Sequence, residues 1–234
     1  MEKTGYAFLD YINEDKSRYK HAKDCGFIDP NDLFLIGDSG GFLLNIRPGY
    51  KFIITELFSP MADIYKREKS YTSYKQGSTM YNRIAEREEY RRYKGYSAPC
   101  LLTPNGTIED IKITGEHYNF LNYGQMEQLN TTSLKRGNVN TASKKVDFPL
   151  FIDAQFWTFH ILKIAKNNGY HILIDKTRRG GFSYMMASTS ANVVNLRPHK
   201  VCINVAIDSK YLTQRGGLSD FTINNLRFYE DCGL

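Results

Sequence analysis

The sequence lacks the features that mark membrane and secreted proteins. No apolar run reaches the roughly 18 residues that a membrane-spanning helix needs. The first segment, MEKTGYAFLDYINEDK, is acidic and contains no apolar core of the kind found in signal peptides. We therefore expect a soluble intracellular protein with no membrane partner.

Cysteine and histidine are too sparse and too scattered for a metal or disulfide framework. The four cysteines lie far apart and form no CxxC pair, and the five histidines include no HExxH spacing. These absences argue against a disulfide-stapled domain, a zinc finger and a zinc hydrolase, and free thiols are the expectation.

Positive charge is present in excess, and it is unevenly distributed. The chain has 234 residues and a net charge of +6, from 31 Lys and Arg against 25 Asp and Glu. The excess lies in residues 60–99, which also contain many tyrosines, in residues 131–145, which contain no acid, and in residues 176–234. Patches of this kind favour a polyanionic partner.

The Tyr- and Arg-rich stretch 71–96 has two interpretations. Its rings and cations could stack on bases and bind phosphates, or they could form a salt-bridged, solvated helix. For the carboxylate pair Glu88-Glu89 within it, a solvated helix face is the expectation, not an acid–base pair.

The first half of the chain has the patterns of a mixed α and β region. Strands are predicted at 33–36, 42–46, 51–55 and 111–113, with a hairpin over 101–108 around Pro-Asn-Gly. Helices are predicted from Pro60, over 80–94 and over 116–123, and the polar segment 131–145 is predicted to be a loop or linker.

The second half alternates helices with short apolar runs. Helices are predicted from Asp153, as N-cap, to Asn168-Gly169, over 183–195 and over 220–229. The apolar runs YHILI (170–174) and VCINVAI (201–207) are typical of buried strands. Helix, strand, glycine loop, helix and strand in this order predict the start of a parallel α/β sheet.

A basic glycine-rich loop joins the first of these strands to the next helix. In the segment IDKTRRGGFS (174–183), Gly181 occupies the last glycine of GxxxxGK[ST] and Ser183 its hydroxyl position, but Phe182 replaces the lysine and Lys176 replaces the first glycine. Backbone N–H groups and the helix dipole in such a loop favour phosphate, and the hydroxyl can bind Mg²⁺. The residues alone leave two readings, a phosphate site or an ordinary basic turn.

The segment KTRRGGFS resembles the deviant Walker A loop of tailed-phage terminase large subunits, in which the lysine stands at the start of the loop. Residues 113–123 (ITGEHYNFLNY) resemble a segment upstream of that family's ATPase core, and residues 148–157 (FPLFIDAQFW) resemble its adenine-side motif. Residues 201–217 resemble the second core strand and its following loop. The resemblance covers roughly residues 108–234.

The resemblance implies a role for each matching residue. Lys176 would contact the phosphates, Ser183 would ligate Mg²⁺, and Arg179, with Arg178 as the second candidate, would be the catalytic arginine that responds to the γ-phosphate. The other ATP-binding residues of the loop would be Thr177, Gly180, Gly181 and Phe182. Gln155 would contact adenine, with Tyr118 and Asn122 behind it, although Gln155 could equally be an ordinary polar helix residue.

As implied by the resemblance, the protein is the ATP-binding part of a motor that packages double-stranded phage DNA into a procapsid. The partners would be DNA, the portal protein, the small terminase subunit and further copies in a ring, at the portal in the host cytoplasm. Asp208 is followed by serine, not glutamate, so we interpret it as a turn residue. The Walker B, coupling and nuclease residues are then expected beyond Leu234, and the 234-residue chain alone should not turn over ATP.

The expected architecture is a P-loop NTPase (RecA/ASCE-like) parallel sheet, incomplete, preceded by a mixed α+β region. Its parts would be residues 1–99, of unknown role, residues 100–147, with the adenine-side segment and the polar linker, and residues 148–234, the first part of the ATPase domain. The alternative is a basic α/β DNA-binding or scaffold module without nucleotide chemistry.

Overall fold

A computed structural model describes residues 34–36, 41–44, 51–102, 108–129, 144–175 and 181–232. Within these ranges the strands are β1 (Phe34–Ile36), β2 (Gly41–Leu44), β3 (Lys51–Ile54), β4 (Tyr96–Leu102), β5 (Ile108–Ile113), β6 (Met126–Leu129) and β7 (Lys144–Asp147). The helices are α1 (Pro60–Glu68), α2 (Thr79–Lys94), α3 (Gly115–Tyr123), α4 (Asp153–Asn168), α5 (Phe182–Leu196), α6 (Ser209–Leu212) and α7 (Leu218–Cys232). A 3₁₀ helix, Thr55–Phe58, connects β3 to α1.

The described strands form two small antiparallel sheets. The larger sheet has the order β1-β2-β3-β4-β5, with a register shift between Pro99 and Leu101, and the smaller sheet pairs β6 with β7. Each strand of the larger sheet pairs with the next strand along the chain, although the 3₁₀ helix, α1 and α2 lie between β3 and β4. The described protein is therefore mixed α/β, mostly helical, with antiparallel sheets.

Local capping signals fix where the helices begin and end. Ser78 accepts a hydrogen bond from the backbone N–H of Tyr81 at the start of α2, and Thr114 accepts one from His117 at the start of α3. Gly169 ends α4 in the left-handed conformation. The helices predicted at α1, α2, α3, α4, α5 and α7 are confirmed. They could be predicted because capping signals depend only on neighbouring residues.

Helix α3 is the centre of the described core. Every one of its residues except Glu116 is buried, and it packs against α1, α2, α4, α5 and α7. At its first residue, a Cβ on Gly115 would lie 2.5 Å from the carbonyl oxygen of Arg92, so only glycine permits this approach of α2. The core around α3 is rich in aromatic side chains, including Phe58, Tyr71, Tyr118, Tyr123, Phe148, Phe151 and Phe156.

The predicted parallel sheet is not observed in the part of the chain that the structure describes. Residues 170–174 and 201–207 are not in strands, and no strand pairs with them within the described ranges. A short apolar run is a property of one segment, whereas a strand also needs a hydrogen-bonded neighbour. The described structure therefore gives no support for the strands predicted at these two segments.

Three smaller predictions also need correction. The strand predicted at 111–113 is the end of the longer β5. Residues 144 and 145, the last two of the predicted linker, belong to β7, which pairs with the unpredicted β6. The remaining linker residues, 131–143, lie outside the described residues. Asp153 is the first residue of α4 and Ile152 is its N-cap, because the side chain of Gln155 reaches back to the backbone N–H of Ile152.

Candidate functional site

The N-terminus of α5 follows the predicted phosphate loop. Gly181 is the N-cap, with φ 71° and ψ 1°, and its carbonyl oxygen accepts hydrogen bonds from the N–H groups of Tyr184 (3.0 Å) and Met185 (3.2 Å). This left-handed conformation favours glycine. No side chain caps the helix, and its first turn contains no acid. The N–H groups of Phe182 and Ser183 thus precede the first backbone hydrogen bonds of α5, in a turn that has no acidic side chain.

Ser183 is the second residue of α5, and its side chain is exposed, whereas Phe182 is half-buried. The next turn anchors the helix. The Tyr184 ring stacks on Phe221 of α7 at a centroid distance of 4.1 Å, and Met185 is buried against Phe120 and Phe159. The exposed hydroxyl thus stands at the end of a helix that is fixed to the core.

The rest of the predicted phosphate loop lies outside the described residues. These are Lys176, Thr177, Arg178, Arg179 and Gly180. Of the residues assigned to the loop by sequence, the structure therefore describes Gly181, Phe182 and Ser183, which are contiguous at the start of α5.

The side chain of Asn122, predicted to lie behind an adenine contact, is fully engaged within the core. Its Oδ1 accepts hydrogen bonds from the backbone N–H groups of Met61 (2.9 Å) and Ala62 (3.3 Å) in the first turn of α1. Its Nδ2 donates to the carbonyl oxygens of Phe58 (2.9 Å) and Tyr118 (3.0 Å). Asn122 therefore joins α3 to the start of α1.

Gln155 and Tyr118, the other two predicted adenine-side residues, are also buried. Gln155 is 4% exposed, and its Oε1 accepts a hydrogen bond from the N–H of Ile152 at 3.4 Å. The Tyr118 hydroxyl donates to Oε2 of Glu88 at 2.6 Å. Burial raises the pKa of Tyr118, and the Glu88 carboxylate raises it further, so the hydroxyl remains a donor. The described contacts of all three residues support the fold.

Glu88 is the functional-looking residue that the sequence interpretation missed. It is 1% exposed, not solvated as expected, and it receives hydrogen bonds from Arg91 (2.8 Å), Arg87 (3.1 Å), Tyr118 (2.6 Å) and Tyr123 (3.2 Å). Helical spacing could have indicated its burial, because Ile84, Glu88 and Arg92 lie four residues apart and therefore share one face of α2. Four donors on one carboxylate indicate a structural anchor.

Arg92 extends this polar cluster towards α5 and α7. Its Nε donates to Asn119 at 2.9 Å and its Nη2 donates to Asn195 at 2.9 Å. Its guanidinium lies between the rings of Tyr123 and Tyr229, at 4.9 Å and 4.7 Å from their centroids. An arginine with both hydrogen-bond acceptors and aromatic faces is well compensated for its burial.

The opposite face of α2 carries the exposed part of the basic patch at 60–99. Arg83, Arg87, Tyr90 and Lys94 are all exposed and recur at spacings of four, three and four residues, so they lie along one side of the helix. We call these four residues the α2 basic strip. The acidic Glu86 and Glu89 are also exposed on this helix, and Glu86 borders the strip at three residues from Arg83 and four from Tyr90. Cations interleaved with an exposed tyrosine suit a phosphate backbone.

His117 is a titratable group that is fully enclosed in the described core. It is fully buried among Phe151, Phe156 and Phe159, and neither ring nitrogen has a hydrogen-bond partner. Burial, together with the nearby His160, lowers the pKa of His117 to about 3. Burial also lowers the pKa of His160. Both imidazoles are therefore neutral at pH 7.

Among the described residues, no group of three or more His, Cys, Asp and Glu side chains could hold a metal ion. In the same part of the chain, the helices fall short of the length and apolar character that crossing a membrane requires. No protein-family model, no curated protein and no solved structure matches the chain.

Proposed function

We propose that this chain is the ATP-binding part of a terminase large subunit, a motor that uses ATP with Mg²⁺ to package double-stranded phage DNA into a procapsid. The observation that carries the proposal is the start of α5. There an exposed serine occupies the first turn of an uncapped helix with no acid, directly after the sequence KTRRGG.

The charges around this helix end favour a polyphosphate. The helix dipole and the N–H groups at the start of α5 attract an anion, and the three cations Lys176, Arg178 and Arg179 precede them in the sequence. In the proposal, Lys176 neutralises the phosphates, Ser183 ligates Mg²⁺, and Arg179 or Arg178 stabilises charge that develops on the γ-phosphate. Thr177, Gly180, Gly181 and Phe182 supply backbone contacts.

The finer fold that we propose is a P-loop parallel sheet built on the segments before and after α5. Exposure alternates along both segments, as in a strand packed on one face. The outward side chains are largely apolar, with Leu173 98% exposed and Ile203, Val205 and Ile207 at least 83% exposed. Apolar side chains at every second position are suited to a sheet whose second face is covered.

Tyr118, Asn122 and Gln155 have a supporting role in this proposal. The described hydrogen bonds of Asn122 and Tyr118 hold α1 and α2 against α3, and that of Gln155 closes the first turn of α4. A nucleotide contact by any of the three remains a prediction from the resemblance.

Nucleotide binding by variants of the loop tests the proposal. We expect Lys176→Ala and Ser183→Ala to weaken binding of a fluorescent ATP analogue, the serine variant chiefly in the presence of Mg²⁺. Ser219→Ala is the matched control, because Ser219 is the second residue of α7 as Ser183 is of α5. Unchanged affinity in both loop variants, or an equal loss in the control, would show that the loop does not bind phosphate.

One observation also favours the second candidate, a DNA-binding or scaffold module without nucleotide chemistry. The α2 basic strip presents three cations and a tyrosine to solvent, and it needs no nucleotide to contact DNA. DNA binding by the strip together with no nucleotide binding would favour this module. The motor proposal requires both activities.

A further inference from the structure

A cavity lies beside α5 on the side that faces α4. Its volume is about 400 Å³, and α4, α5 and residues 170–172 line it. The lining residues of α5 run from Met186 to Val193, and none of Gly181, Phe182 and Ser183 is among them. Among the described residues, the cavity therefore shares none with the proposed phosphate site, and its size suits a small organic ligand.

The walls of the cavity are mainly apolar. Phe159 and Leu162 of α4 face Met186 and Val193 of α5, and Ile172 adds a further apolar wall. Aromatic or aliphatic groups bind favourably in such a cavity, because their apolar surface is transferred from water to apolar contacts.

One carboxylate gives the cavity a polar recognition element. Glu116 lines it, and its Oε2 is buried without a hydrogen-bond partner. Its Oε1 lies 3.6 Å from Nζ of Lys166 and 3.7 Å from Nη2 of Arg197, so these cations offset the charge without a short hydrogen bond. A buried acceptor of this kind is stabilised when a ligand supplies an N–H or O–H donor.

The charged side chains near Glu116 determine which net charge a ligand of this cavity can carry. Lys163 and Lys166 also line the cavity, and half of the Lys166 side chain is exposed. Because the cations outnumber the carboxylate, a cationic ligand is disfavoured, and an anionic tail can reach the lysines.

We propose that this cavity binds a small planar aromatic molecule that donates an N–H hydrogen bond to Glu116 and directs a short anionic tail towards Lys163 and Lys166. Indole carboxylates have this chemistry. The site is independent of the proposed nucleotide site, so either can fail without the other.

The test compares two probes on the unmodified 234-residue chain, indole-3-propionate and benzothiophene-3-propionate, which have nearly the same shape. They differ in the N–H donor, which is a sulfur atom in the second probe. We expect NMR titration to show binding of indole-3-propionate, with shifts of the backbone amides of Ala165, Ile172 and Met186, and binding about tenfold weaker for benzothiophene-3-propionate. No binding of the first probe, or equal affinity of the two, overturns the proposal.

A pair of variants locates the site independently. Val193→Trp fills the cavity and should abolish binding of indole-3-propionate. Val194→Trp adds the same ring to the neighbouring residue, which is 45% exposed and does not line the cavity, so binding should be unchanged. Equal loss in the two variants, or full binding by Val193→Trp, places the probe elsewhere and overturns the proposal. Should Val193→Trp not fold, the comparison of the two probes still decides.

Discussion

His117 lies in an apolar site where a protonated imidazole would have neither a hydrogen-bond acceptor nor a counter-charge among the described residues. Three phenylalanine rings surround it, with Phe159 stacked at a centroid distance of 4.9 Å, and no hydrogen bond reaches either nitrogen. The nearest titratable neighbour is His160, which also disfavours a second positive charge. Folding therefore requires both histidines to remain neutral.

The consequence is a loss of stability in acid. The pKa of His117 is about 3 when folded and about 6.5 when unfolded, so below pH 6.5 the unfolded chain binds a proton that the folded chain does not. The contribution of His117 is complete above pH 6.5 and declines as the pH falls towards 3. We expect His117 to account for a loss of roughly 2 kcal/mol in the free energy of unfolding between pH 7 and pH 5.

Urea unfolding of the parent chain and of His117→Phe at both pH values measures this contribution. The variant should lose clearly less stability on acidification than the parent, and the loss that remains includes that of His160, whose pKa burial also lowers. The exposed His171 provides the control, and His171→Phe should keep the full parental dependence. An identical pH dependence in the parent and His117→Phe would contradict this account of the buried imidazole.

Helix α2 shows how two adjacent glutamates acquire opposite roles. Glu88 lies on the face that meets α3 and is 1% exposed, whereas Glu89 is turned to solvent by the next 100° of the helix. Removing a buried carboxylate leaves its donors, Arg91 above all, without an acceptor. We expect Glu88→Ala to lower the free energy of unfolding by about 3 kcal/mol, and Glu89→Ala to change it by less than about 0.5 kcal/mol.

Chemical denaturation of the two variants tests this difference. The comparison is matched, because each substitution removes one carboxylate and the two positions are adjacent in the same helix. Glu88→Gln, which keeps an acceptor, should lie between the parent and Glu88→Ala. Equal stability of Glu88→Ala and Glu89→Ala would mean that the four hydrogen bonds to Glu88 do not stabilise the fold.

The elements that could be predicted from the sequence are those whose signals are local. Caps and helical periodicity identified α2, α4 and α5 to within a residue or two. The segments 170–174 and 201–207 could not be settled in this way, because a strand exists only with a neighbour and hydropathy does not identify one. The burial of Glu88 was missed because the dense charges of this helix favoured a solvated face. The contact with α3 that buries Glu88 is made with residues distant in sequence.

The candidate site was predictable only in part, and the limit is again physical. The motif located Gly181 and Ser183 at a helix start, because a glycine followed by a helix has a local signal. The roles of Tyr118, Asn122 and Gln155 depend on which tertiary partner their polar groups meet, and that partner comes from distant residues such as Glu88 and Met61.

At the scale of the whole molecule, the question is whether the net charge or its arrangement governs binding to a polyanion. The net charge of +6 would attract DNA from any side, whereas the α2 basic strip offers a single side on which cations recur at helical spacing. If net charge governs binding, removal of two cations weakens DNA binding equally wherever they lie. If the arrangement governs binding, removal from the strip weakens it more. Paired variants that remove the same charge from different places therefore separate them.

We expect Arg83→Ala/Lys94→Ala to weaken binding of a 30-base-pair DNA duplex roughly tenfold at low salt, and to reduce the slope of log K against log salt by about 2. Lys200→Ala/Arg215→Ala removes two exposed cations that are not on α2 and leaves the same net charge, so its affinity and slope should stay near those of the parent. Fluorescence anisotropy at several salt concentrations measures both quantities. Equal losses in the two double variants would mean that DNA responds to the total charge, and the α2 basic strip would then have no special role in binding.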